Sequence, residues 1–192
     1  MRRLESKIEL TGRLFEEELV GEADIKNPEY QKALKIAQEQ EAKILKKEGY
    51  LRFRKALELA KKFQPGDPTN PRRPFGRELR IALQDLLNLK TEEEMDRVKF
   101  YTAIGTPLDK IHGVDAFMEY EDLDKKIYRA TFDFTTNPQK KVYKSDIMVL
   151  EKELPDSQLD SAGFLEKIEE YAKRTLSKMA VREVQEKKII LE

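Results

Sequence analysis

The stretch from Gly113 to Asn137, GVDAFMEYEDLDKKIYRATFDFTTN, decides the fold class. Both of its ends alternate apolar and polar residues, the period of a half-buried strand. In the first half Val114, Ala116, Met118 and Tyr120 point one way, and Asp115, Phe117 and Glu119 the other. In the second half Tyr128, Ala130, Phe132 and Phe134 share a face opposite Arg129, Thr131, Asp133 and Thr135. The polar run Glu121-Asp122-Leu123-Asp124-Lys125-Lys126 between them has hairpin length. A one-residue slip would set an apolar face against a polar one, so the pattern specifies the register. A hairpin centred on Asp124 places Glu119 opposite Arg129, a favourable ion pair, and Asp115 opposite Asp133. The second pair sets two carboxylates about 5 Å apart, a repulsion on the order of 3 kcal/mol at an effective dielectric of about 20. A bound divalent cation would reverse the sign of that cost. Asp is also depleted in strands, which makes Asp115 and Asp133 the leading candidates for a functional site.

The rest of the composition narrows the chemistry. A chain of 192 residues can bury the core of one domain. Lys plus Arg and Asp plus Glu balance at 37 each, so no global field draws the chain to nucleic acid or anionic lipid. A local basic groove stays open as a possibility. With no cysteine and His112 as its one histidine, the chain has no disulfide, thiol nucleophile, cysteine-bound zinc or histidine-rich metal site. His112 has no convincing serine partner, and neither a Gly-x-x-x-x-Gly-Lys loop nor a Gly-x-Gly-x-x-Gly fingerprint occurs. What remains is an oxygen-ligand site, whose hard donors select Mg²⁺ or Mn²⁺. The N-terminal residues lack the apolar core of a signal peptide, and no apolar run approaches a span of ~20 residues. The expectation is a soluble, cytoplasmic protein with no membrane partner.

Before the hairpin, Leu4, Ile8, Thr11, Phe15 and Leu19 recur at helical spacing and Gly21 follows as a stop. Asn27-Pro28 opens a second helix carrying Tyr30, Leu34, Ala37 and Ile44, and Phe53, Leu57, Ala60 and Phe63 mark a third. These three read as a helical arm over residues 1–64, suited to scaffolding, self-association or a protein partner. Pro65-Gly66-Asp67-Pro68-Thr69-Asn70-Pro71-Arg72-Arg73-Pro74 is a proline-punctuated linker, and a core of residues 75–192 follows it. Arg72, Arg73, Arg77 and Arg80 form the best local basic cluster, a candidate grip on the phosphates of DNA or RNA. Arg77 to Leu89 reads as a helix with Glu78 at its start, where a carboxylate suits the dipole. Thr91-Glu92-Glu93-Glu94 is a capping box. Val98 to Ile104 reads as a first strand, and Val142 to Leu150 as a strand after the hairpin. Asp160-Ser161 caps a long helix with Phe164, Ile168, Tyr171, Ala172 and Met179 on its buried face, and Ile189-Ile190-Leu191 reads as a short strand or a tail. The fold class is α/β (α+β), a small mixed sheet flanked by helices behind an N-terminal helical extension.

The segment Leu108-Asp109-Lys110-Ile111-His112-Gly113-Val114-Asp115-Ala116-Phe117, followed by Thr131-Phe132-Asp133-Phe134-Thr135, resembles the PD-(D/E)XK nuclease-like superfamily. The resemblance spans roughly residues 75–150 and implies a restriction-endonuclease-like core. It implies Asp115 and Asp133 as metal ligands, with Glu78 as a third from the first core helix. The lysine which that family places two residues after the second acid is Thr135 here, and Lys140, Lys141 or Lys144 is the candidate for a migrated amine. The implied activity is Mg²⁺- or Mn²⁺-dependent phosphodiester hydrolysis of nucleic acid. The alternative is a degenerate member of that fold kept for binding or assembly, which Thr135 favours.

Overall fold

The computed structural model describes residues 12–191, with side chains described as far as residue 180. The positions Leu4, Ile8 and Thr11 and the N-terminal segment read against a signal peptide lie outside the described residues. Helix α1 covers 12–20 and ends at Gly21, whose N–H closes the last turn on Glu17 O. Then follow α2 (Pro28–Leu45), α3 (Phe53–Lys62), α4 (Pro74–Leu86), α5 (Glu92–Met95), β1 (Val98–Thr102), α6 (Pro107–His112), β2 (Ala116–Glu121), β3 (Ile127–Thr135), β4 (Ile147–Leu150) and α7 (Ser161–Leu191). The caps form where side-chain chemistry predicts them. Asn27 accepts from Glu29 N–H, Thr91 and Glu94 form a reciprocal capping box, and Asp160 accepts from Gly163 N–H.

The four strands make one mixed sheet in the order β1-β2-β3-β4, antiparallel except for the parallel β3–β4 pair. The hairpin register is the one the alternation predicts, with Glu119 opposite Arg129 and Ala116 opposite Phe132. Two expectations change. The strand read over Val142 to Leu150 is confined to Ile147–Leu150, because Asp146 accepts from both Thr131 N–H and Thr131 Oγ–H and pins the chain to β3 only there. Residues 189–191, read as a strand or a tail, belong to α7.

The two faces of the sheet bury separate clusters. On one, Val98, Phe100, Met118, Phe132, Phe134 and Val149 pack beneath α4 and α7, with Leu19 and Val20 of α1 joining them. Gly76 lets α4 sit close, since a Cβ there would meet the Phe100 ring at 2.7 Å. On the other face Tyr101 and Phe117 stack at 4.8 Å and are covered by Leu57 and Ala60 of α3 and Leu108 of α6. Tyr30 of α2 closes this cluster, and Arg52 holds α2 to α3 through a bidentate pair with buried Glu41. Of the helices before the linker, α3 packs on the sheet, α2 packs on α3, and α1 adds Leu19 and Val20 to the opposite face. The linker also covers the sheet's open edge. Phe100 N–H donates to Pro68 O, and the Gln64 amide exchanges two hydrogen bonds with the Thr102 backbone. Among the described residues no helix is long and apolar enough to cross a membrane.

Candidate functional site

Asp115 stands immediately before β2 and is 5% exposed. Here the ladder departs from regular pairing. Asp115 N–H donates to Phe132 O, and Asp115 Oδ2 accepts from Phe134 N–H at 2.7 Å. The carboxylate therefore takes the place of a backbone carbonyl beside β3. Asp133, 4% exposed, lies in β3, and Lys140 reaches back from the following loop to donate to both of its oxygens, at 2.7 and 2.6 Å. Of the three candidate lysines, Lys140 is the one that meets a site carboxylate. Lys141 is exposed, and Lys144 donates to Ile111 O.

Two further acids converge on the same end of the sheet. Glu16 comes from α1 and Asp109 from α6, where Asp109 Oδ2 accepts from Gly105 N–H at 2.8 Å. Glu16 and Asp109 line a cleft of about 280 Å³ with Arg13, Thr135, Thr136 and Asn137. Burial pushes the Glu16 carboxyl up to about 7, with Asp109 and Asp133 adding to it and Lys140 and Arg13 opposing. Asp115 rises to about 8, first through burial and next through Glu16, against the Phe134 N–H. Asp109 is raised by burial, partly offset by Gly105 N–H. The strongest carboxylate neighbour of Asp115 is thus Glu16, with Asp133 a weaker one, so the direct pair expected from the register becomes a cluster. Excess negative charge that solvent cannot reach is held by protons near neutrality.

Neither new member stood out in the sequence. Glu16 belongs to a Glu16-Glu17-Glu18 run that reads as a solvated helix face, and Asp109 sits between Leu108 and Lys110 with no periodic mark. The packing of α1 brings Glu16 in, and the turn from β1 into α6 brings Asp109.

The other candidates lie elsewhere. Glu78 lines a cleft between α4 and α7, and its carboxylate pairs with Arg77. Arg80 is half-buried and donates to Val98 O, Met95 O and Asp96, so it ties α4 to the start of β1 instead of facing a ligand. Arg72 and Arg73 are exposed and line the grooves beside α1. His112 sits away from the acids, against Leu51 O and the rings of Tyr50 and Phe53.

The donors are the hard oxygens that Mg²⁺ and Mn²⁺ prefer. As they stand, no three acidic or histidine side chains among the described residues are grouped to hold an ion. Compared with protein-family models, curated proteins and solved structures, the chain matches none of them.

Proposed function

We propose that this chain is a PD-(D/E)XK nuclease-like phosphodiesterase that acts on nucleic acid with Mg²⁺ or Mn²⁺. The observation that carries the reading is the gathering of Asp115, Asp133, Glu16 and the Lys140 ammonium at one end of the sheet. Asp115, Asp133 and Glu16 would hold the ion, with Glu16 in the place first assigned to Glu78. The ion supplies Lewis-acid polarisation of a phosphoryl oxygen. Lys140 contributes a positive charge at Asp133 that is placed to offset charge developing on a phosphoryl group. Burial keeps Glu16 and Asp115 partly protonated near neutral pH while no ion is bound, and an ion would displace those protons as it binds. Arg72 and Arg73, exposed members of the candidate arginine cluster, would contact a nucleic-acid backbone.

The test is cleavage of end-labelled DNA and RNA in Mn²⁺, in Mg²⁺ and in chelator. Wild type should cleave only with metal, and Asp133→Asn and Lys140→Ala should each lower the rate at least a hundredfold. Cleavage that persists in both variants would end this reading.

Thr135 and the present spacing of the acids favour a second reading, a degenerate fold kept for binding or assembly. In it the exposed Ile36 and Ile44 of α2 would meet a protein partner or a second copy. Metal-independent self-association in solution, lost in Ile44→Lys, would favour it over hydrolysis.

A further inference from the structure

The loop joining β3 to β4, residues 136–146, displays an exposed valine and tyrosine among lysines. We propose that it is a grip for single-stranded nucleic acid, in which Tyr143 stacks on an unpaired base while Lys141 and Lys144 hold the flanking phosphates. The proposal rests on the phosphodiesterase reading of the neighbouring cluster and names the substrate class for that site.

The loop is pinned at both ends and projects between them. At its start Asn137 accepts from Gln139 N–H and its carbonyl from Lys140 N–H, which forms a tight turn after β3. At its end Asp146 N–H donates to Thr131 O. Between these anchors Val142 is 83% exposed and Tyr143 42%. Neither side chain has a ring contact or polar partner among the described residues. Val142 and the Tyr143 ring thus stand side by side at the surface, bounded by cations. Lysines interleave with it at 140, 141 and 144.

Position gives the arrangement its meaning. Thr135, Thr136 and Asn137 form a wall of the carboxylate cleft, and Lys140 is seated on Asp133. Lys144 donates to Ile111 O, which fixes the far arm of the loop beside α6, the helix that carries Asp109. Both arms of the loop are therefore held beside the elements that carry the acids. An aromatic ring flanked by flexible cations is the chemistry of sequence-tolerant single-strand binding, because every base has a π-face and every nucleotide a phosphate. A paired base offers no free face to stack on, so the loop discriminates against duplex.

The experiment measures binding of short dye-labelled oligonucleotides by fluorescence anisotropy, in chelator and in Mg²⁺, with Asp115→Asn present so that the probe survives. Single-stranded DNA and RNA should bind more tightly than the matching duplex, the two single strands differing only if the 2′-hydroxyl is contacted. Tyr143→Ala should weaken single-strand binding about 5- to 100-fold and Tyr143→Trp should retain it. Lys141→Ala with Lys144→Ala should lower the slope of log affinity against log salt by about 1.4. The melting temperature of Tyr143→Ala should not change, since that side chain is exposed, whereas the lysine double variant also loses the Lys144 bond to Ile111 O. Duplex bound as tightly as single strand, a Tyr143→Ala variant that binds like wild type, or Tyr143-dependent binding to anionic vesicles instead of oligonucleotides would each overturn the grip. Metal-dependent cleavage by a Tyr143→Ala protein of unchanged affinity defeats the grip alone. Tyr143-dependent binding without cleavage by wild type supports the grip and defeats the hydrolase.

Discussion

The two faces of one sheet are built from alternate residues of the same strands, yet they answer to different physics. Under α4 and α7 the face is almost entirely apolar, with Thr102 at its edge donating to Gly21 O. Phe75 sits edge-on to Phe134 at 5.0 Å and to Phe132 at 6.0 Å, with Tyr171 at 5.8 Å closing the set. Across the sheet, beyond the Tyr101–Phe117 stack, the other face carries buried ions. Glu119 is paired by both Lys61 and Arg129, and Asp133 by Lys140. The first face can be satisfied by shape alone. The second needs a named partner for each charge, and at the Asp115 end the partners run short. That shortage separates a stabilising surface from one available for chemistry.

The comparison breaks most visibly in the aromatic face. Phe75→Ala should cost about 3–5 kcal/mol, read as a shift in the denaturant midpoint, because it empties the centre of a packed cluster. A loss below about 1 kcal/mol would mean that the helix layer carries little of the stability. On the charged face, Mn²⁺ raised to about a hundred times its dissociation constant should stabilise wild type by about 2.7 kcal/mol. A melting temperature unchanged through millimolar Mn²⁺ would leave the acids as a proton-holding cluster and favour the degenerate reading.

A smaller effect is expected where the charges are already matched. Glu119→Gln removes the shared partner of Lys61 and Arg129 and should cost about 2 kcal/mol. That is less than the 3–5 kcal/mol typical of a broken buried pair, because both cations keep some access to water.

The same contrast is sharpened by pH. Glu16 and Asp115 have folded-state values raised to about 7 and about 8, so between roughly pH 4 and pH 8 the folded chain holds more protons than the unfolded one. Their contribution to stability is complete below pH 4 and lost as pH rises through 7 to 8. Melts of wild type and Asp115→Asn across this window should converge at low pH. Above pH 8 the variant should be at least as stable as wild type, since one repelling charge is gone. A wild type that gains stability from pH 5 to pH 8 would contradict the cluster.

Alternation at 114–135 determined the hairpin, its register and the Glu119–Arg129 pair, because a strand's side-chain period leaves a buried face no freedom to slip. Local chemistry determined the caps at Asn27, Thr91 and Asp160, and the resemblance together with the register pointed to Asp115 and Asp133. Tertiary structure alone decided the rest. Glu16 joins the site because α1 crosses the sheet end, Lys140 is chosen over Lys141 and Lys144 by the turn at Asn137, and Arg80 is spent on backbone carbonyls of β1. Each of these depends on contacts between residues distant in sequence or on one loop's path. Periodicity and propensity describe how a segment meets its immediate neighbours, and they carry no record of which distant charge will share the low-dielectric space into which a carboxylate is folded.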